Sequence, residues 1–266
     1  MTQTQSPVLW RVDHGVGHIV LNRPEAANAI DAPFAQAFAD AVSQAARADI
    51  GAVLLSSTGK QYCAGGDINA FLARGDHFAG LIDELLDILN PAVAQLAALP
   101  LPVISAVHGP VGGAGIAMAL CADIVLAAHS MKLRGGYSAI GLSPDIGASY
   151  FLARRAGAAR AKYILMTNRA LAAEECLRLG LVDELHAAEA LPSAARALAT
   201  QLAGGATGAL GGIKRLCDQA CSTMLPAHLE RERDALLRCA VSADGREGVA
   251  AFSQKRPPRF TDKRID

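Results

Sequence analysis

Twice in its first 123 residues the chain runs a short apolar, β-branched segment into a glycine-rich bend and out into a run of helical character. The first instance is the strand-like stretch 52–57, followed by Tyr62-Cys63-Ala64-Gly65-Gly66-Asp67-Ile68. The second is 102–107, a turn at Gly109-Pro110, and then Gly112, Gly113 and Gly115 around the start of an apolar helix over 114–121. Short apolar runs bounded by turn residues read as buried strands. The first turn of a helix carries N–H groups without partners and the positive end of the dipole. A bare backbone entering a helix therefore offers aimed donors to an oxygen anion. One such turn alone is accounted for by tight helix packing. Two of them, each turning one N–H to the same point, would make an oxyanion hole.

Composition narrows the rest. The chain has 266 residues, 52% of them hydrophobic, enough to bury the core of one α/β domain, alone or with an arm. Acidic and basic residues balance at 25 each. There is no basic stripe for nucleic acid and no polybasic helix for a membrane surface. No run reaches the ~18 apolar residues of a membrane span. The N-terminal MTQTQSPVLWRVD lacks the basic-then-apolar order of a signal peptide. The six cysteines, at 63, 121, 176, 217, 221 and 239, form no CxxC or Cys/His spacing, so no metal site is expected. A reduced, cytoplasmic protein is the expectation.

Periodicity predicts a hairpin from 8–12 and 18–22, and a helix over 31–48 capped by Asp31 with Pro33 in its first turn. It predicts a polar, mobile stretch over 71–80, and a long helix over 81–99 with Leu81, Leu85, Leu89 and Val93 on one face. Strands are expected at 124–128, 131–134 and 181–185, with helices at 147–156, 161–166 and 172–179 between the last two. Only helices follow, near 189–203, 206–221, 226–242 and 246–254. The expected division is an α/β core over 1–188 and a helical region over 189–266.

The segments CAGGDI (63–68) and AVHGPVGGAG (106–115) resemble the crotonase (enoyl-CoA hydratase/isomerase) superfamily. So do LNRPEAANAI (21–30), GLSPDIGASYFLARRAG (141–157), TNRALAAEECLRLGLVDEL (167–185) and REGVAAFSQKRPPRF (246–260), in family order. The resemblance implies a spiral of ββα turns with a C-terminal helical trimerisation arm, and a homotrimer or a hexamer built as a dimer of trimers. It implies an acyl-CoA substrate whose coenzyme A is part of the thioester, with no separate cofactor. The N–H groups of Gly66 and Ala114 would hold the thioester oxygen as enolate charge develops. Hydratases of the family orient water with two glutamates; Ala117 and Tyr137 stand at those positions here. Neither side chain can hold water as a base does. Several isomerases of the family carry a catalytic Asp where this chain has Asp145. One carboxylate beside an enolate can take a proton from one carbon and return it to another, which shifts a double bond without activating water. By spacing alone, Asp145 reads as a cap for the helix near Gly147; the resemblance turns it toward catalysis.

The same Asp position is a nucleophile in the 4-chlorobenzoyl-CoA dehalogenase branch, which residues 148–150 and 167–169 also resemble. There an aromatic residue in the position of Tyr137 assists the Asp, but a His is used on the long helix where Asn90 stands. A weak hydratase, a thioester hydrolase and a non-catalytic acyl-CoA-binding paralogue complete the alternatives. By resemblance Ala64, Asp67 and Ile68 surround the adenine. The loop 25–27 lies near the phosphates, with Arg23 replacing a basic residue lost at Ala26-Ala27. Phe252 and Lys255 match a CoA-contacting pair on the last helix, often reaching a neighbouring subunit. Asp83, Glu84 and Asp87 read as a solvated helix face, and His108 and Asp123 as structural. Ser105 and Ser143 lack His/Asp partners at a recognisable spacing.

Overall fold

The computed structural model describes residues 6–262; the first five residues of the N-terminal stretch lie outside it. The chain opens with β1 (Val8–Asp13) and β2 (Val16–Leu21), an antiparallel hairpin. Helix α1 (Ala32–Arg47) begins where Asp31 accepts the Phe34 amide at 2.9 Å, with Pro33 in the first turn. Strand β3 (Ala52–Ser57) leads through the first elbow to α2 (Ile68–Arg74) and α3 (Phe78–Ala97). Strands β4 (Val103–Val107) and β5 (Pro110–Gly112) lead through the second elbow to α4 (Gly115–Leu120). Strands β6 (Ile124–Ala128) and β7 (Lys132–Arg134) precede α5 (Ala148–Ala156) and α6 (Ala158–Thr167). The short β8 (Leu171–Ala172), α7 (Ala173–Arg178) and β9 (Glu184–His186) end the mixed region. Four helices follow: α8 (Leu191–Ala203), α9 (Thr207–Ala220), α10 (Leu225–Val241) and α11 (Ala243–Ser253).

The larger sheet has the order β1-β2-β3-β4-β6-β9, parallel from β2 onward, and the smaller is β5-β7-β8. Each passage from core strand to helix also visits the smaller sheet. The second passage does so at β5 and the third at β7, while in the first Cys63 bridges Val111 in parallel. That repeat is the expected ββα spiral. One face of the large sheet carries the main core, including Phe34, Phe38, Leu55, Leu96 and Ile116. Val16, Leu54, Ile104 and Leu126 project to the other face and are covered by Leu191, Ala195, Ala199 and Ala203 of α8. So α8 packs with the α/β core although it lies beyond residue 188. Helix α9 is pinned through Lys214, which sits 2.9 Å from Asp123 at the head of β6.

Local expectations change at several points: Pro110, expected in a turn, opens β5, and the short β8 takes up the start of the helix expected from 172. The stretch 71–80 is helical nearly throughout: α2 continues to Arg74, a 3-10 turn spans Gly75–His77, and α3 starts at Phe78. Its exposed polar side chains mark solvent, not loss of helix. The last core strand is displaced from 181–185 to Glu184–His186. Leu181 and Val182 are fully buried as packing residues, and pairing begins only after Asp183, whose carboxylate accepts the Val125 amide at 2.7 Å.

Candidate active site

The two elbows meet because both are bare at the contact. A Cβ on Gly65, whose φ is +96°, would lie 3.0 Å from the Gly112 carbonyl oxygen and 3.2 Å from the Ala114 nitrogen. A Cβ on Gly115 would lie 2.5 Å from the Cys63 carbonyl oxygen. Contacts that close leave room for no side chain larger than hydrogen. The amides around the bends are spoken for: Ala64 donates to Ala27, Asp67 to Ile30, Gly112 to Cys63 and Gly113 to Gly135. Among the described residues, the N–H groups of Gly66 and Ala114 have no acceptor in the protein. Both residues line one cavity of about 580 Å³. The helices behind them are short, so the donors are the amides themselves more than the helix dipoles.

The cavity is walled by Ile68 and Phe71 of α2, Ile82, Leu86 and Asn90 of α3, and the segment from Arg134 to Ile146. Asp145 is the one acid among its described lining residues. The Tyr137 hydroxyl donates to Asp145 Oδ1 at 2.6 Å. Burial raises the Asp145 pKa above the usual carboxylate range, and the Tyr137 hydrogen bond opposes part of that rise. Burial and the facing carboxylate push the Tyr137 hydroxyl far up, so the tyrosine keeps its proton. Burial pushes the nearby Cys63 thiol up to about 12, which leaves it neutral.

Asp145 does not cap the next helix. Helix α5 starts behind Gly147 with no side-chain cap, and Asp145 gives that turn only its carbonyl, which accepts the Ala148 amide at 2.8 Å. The backbone bends sharply after it, with φ +36° at Ile146 and +96° at Gly147. A β-branched residue in the left-handed region is strained, a cost of about 1–3 kcal/mol that is met where surrounding structure holds it. The strain falls on the residue next to the acid.

A larger cavity, about 950 Å³, lies between α3, α5 and α9. Its charged groups satisfy one another: Lys214 with Asp123 at 2.9 Å, Arg154 with Asp218 at 3.0 Å and Arg155 with Asp183 at 3.2 Å. Burial raises the Asp123 pKa and Lys214 works against it. That cavity holds no free acid beside free amides.

Ala64 and Ile68 sit on the rim of the smaller cavity. Asp67 and Arg23 do not line it. Asp67 caps α2, accepting the Asn69 and Ala70 amides, and pairs with Arg23 at 2.7 Å. Burial disfavours its charge, but the Arg23 hydrogen bond and those amides outweigh it and hold its pKa low. Arg23 also meets Asp31 at 3.1 Å and donates to the Ala29 carbonyl, so its guanidinium is committed inside the fold. Phe252 of α11 and Lys255, which lies beyond the helix's end and not on it as expected, are exposed and do not line the cavity of their own chain. Ala117 is fully buried. Asp83, Glu84 and Asp87 face solvent, and His108 bonds the Gly59 carbonyl. Ser105 Oγ lies 3.0 Å from the Tyr62 hydroxyl. The sequence reading gave Arg134 no role; it sits on the cavity rim with its Nε donating to the Asn168 carbonyl. Its signal is faint: one arginine at the end of a three-residue strand.

The enoyl-CoA hydratase/isomerase family model matches residues 11–263. The chain belongs to that family. Among relatives of this enoyl-CoA hydratase/isomerase member is the 1,2-epoxyphenylacetyl-CoA isomerase of Escherichia coli, 39% identical over 96% of this chain and 98% of that protein. The trans-2-decenoyl-[acyl-carrier-protein] isomerase of Streptococcus mutans is 30% identical over 96% and 98%. A crystal structure of an enoyl-CoA hydratase from Polaromonas sp. JS666 superimposes with a TM-score of 0.90 at 32% identity, covering 96% of this chain and 99% of that one. Relatives thus carry both isomerase and hydratase names. No group of three or more His, Cys, Asp or Glu side chains among the described residues could hold a metal, and no described helix is long and apolar enough to cross a membrane.

Proposed function

We propose that this family member is an isomerase that shifts a double bond in an enoyl-CoA thioester. The carrying observation is that Asp145 is the one acid among the lining residues, in the same cavity as the free amides of Gly66 and Ala114. The thioester carbonyl accepts from the two amides, which bear the negative charge as an enolate forms. Ionised Asp145 removes a proton from the carbon next to the double bond, and the electron pair moves to the oxygen. The protonated acid then returns that proton to the far carbon, and the carbonyl re-forms. Tyr137 aims the carboxylate and remains protonated. Water needs no activation, in keeping with Ala117 and Tyr137 standing where hydratases are expected to place glutamates. Coenzyme A enters as part of the thioester, and the active form is a homotrimer or a pair of trimers.

Asp145→Asn should lower isomerase turnover by about 10²–10⁴-fold, the usual worth of a positioned base. Binding of a saturated acyl-CoA should persist. Unchanged turnover would remove Asp145 from the mechanism. Tight binding with no turnover of any thioester by the parent protein would make the chain an acyl-CoA-binding paralogue. The name of the E. coli relative supports a second substrate for the same machinery, a ring-bearing acyl-CoA. Product analysis with 3-enoyl-CoA, crotonyl-CoA and 1,2-epoxyphenylacetyl-CoA separates the readings.

A further inference from the structure

Ile146 follows Asp145 and has φ +36°. A β-branched residue is an outlier in the left-handed region, which glycine enters freely. The bend after Asp145 therefore needs no isoleucine, and a glycine would make it without strain. The chain nevertheless keeps a large aliphatic side chain there, 5% exposed. Strain that persists beside a site points to a use for the side chain that bears it. Ile146 lines the candidate active cavity of about 580 Å³ and also the cavity of about 950 Å³ between α3, α5 and α9. Among the described residues the two cavities share one other lining residue, Asn90, which is exposed. Ile146 is thus the buried part of the partition between them.

Beyond that partition the space is apolar. Val93, Leu120, Phe151, Leu202 and Leu210 line the larger cavity. Its charged side chains are ion-paired, Lys214 with Asp123, Arg154 with Asp218 and Arg155 with Asp183. Such a space takes hydrocarbon. On the near side, Asp145 as the proposed base has to reach a carbon of the acyl group. The acyl group then lies against the segment that Ile146 continues, and a chain that lengthens along that segment meets the Ile146 side chain.

We propose that Ile146 is a specificity-determining residue whose side chain closes the active cavity toward the larger apolar one, so that the site takes acyl groups of limited length. This rests on the acyl-CoA reading above but not on the isomerase chemistry. The bulk of the isoleucine is the closure, so a smaller residue opens the partition and lets further methylenes leave water. Each methylene newly buried adds about fourfold in affinity.

The test measures binding, so it does not depend on turnover. Butanoyl-, hexanoyl-, octanoyl- and decanoyl-CoA are titrated by calorimetry into the parent protein, Ile146→Ala, Ile146→Gly and Leu86→Ala. Leu86 lines the active cavity but not the larger one. In the parent, affinity should stop rising before decanoyl-CoA. In both Ile146 variants the affinity ratio of decanoyl- to hexanoyl-CoA should rise at least about tenfold over the parent's, the worth of two further methylenes, with no such rise in Leu86→Ala. Glycine suits the backbone at this position, so Ile146→Gly keeps the turn, and melting curves check that each variant is folded. An affinity that climbs steadily to decanoyl-CoA in the parent overturns the proposal, whether or not the Ile146 variants fold. A parental ratio in a folded Ile146 variant overturns it too, as does an equal rise in Leu86→Ala. If no thioester binds the parent protein at all, the acyl-CoA reading itself fails, a result distinct from these.

Discussion

Asp145 owes its chemistry to one neighbour and to burial. Its pKa is raised by burial and partly restored by the Tyr137 hydroxyl, which favours the ionised form. As the proposed base, Asp145 works only when ionised, so turnover should fall as pH drops through that raised pKa. Tyr137→Phe deletes the bond that lowers it. The acid limb of the kcat/KM profile should therefore move to higher pH than in the parent; a limb that stays or moves down would remove Tyr137 from this role. Stability follows the same linkage. A carboxyl whose folded pKa lies above its unfolded value binds protons better when folded. Its charge is thus a cost to the fold above the folded pKa, and that cost fades as pH falls through the folded value toward the unfolded one. Asp145→Asn should melt above the parent at neutral pH, with the gap closing as the solution is acidified through the raised pKa. Thermal melts across that range check it.

At the scale of elements, the proposed oxyanion site depends on how closely two elbows approach. Gly115 opens α4 against the Cys63 backbone, where a methyl would lie 2.5 Å from a carbonyl oxygen that cannot step aside alone. Gly115→Ala should cost about 1–3 kcal/mol of stability, the range for overpacking. It should also lower kcat more than it weakens CoA binding, because it displaces the Ala114 amide; denaturant melts and steady-state kinetics report the two effects separately. The elbows were legible because their signals are local: apolar runs, then glycines, within a dozen residues. Helix α3 was legible by its stripe, and it runs on through Pro91 because buried leucines on both sides hold it. The stretch 71–80 was not legible, since its polar surface gives no inward periodicity although α2 and α3 meet there.

At the scale of the molecule, the C-terminal helices are unfinished surfaces. Met224, Leu225, Leu229, Leu236 and Leu237 of the α10 region are exposed, and Phe252 of α11 is 88% exposed. Apolar faces of that extent mark a contact. The homotrimer proposed above would cover these faces with neighbouring copies. Light scattering should give three or six times 27.5 kDa, and Leu236→Glu should shift it toward the monomer; a parent protein that is monomeric at micromolar concentration contradicts the assembly.

Most strands and helices, the two glycine bends and the aspartate after Pro144 could be read from the letters, because each is written in a few adjacent residues; the short β5 and β8 could not, and the absence of the two glutamates came only through the family resemblance. The letters did not reveal that Tyr137 gives its hydrogen to Asp145, that Arg23 is held by Asp67, 44 positions away, that α8 closes the far face of the sheet, or that Asn90 meets the acid's cavity. Those are facts of long-range packing: a side chain's partner is chosen by where the folded backbone leaves it, and periodicity carries no record of that choice.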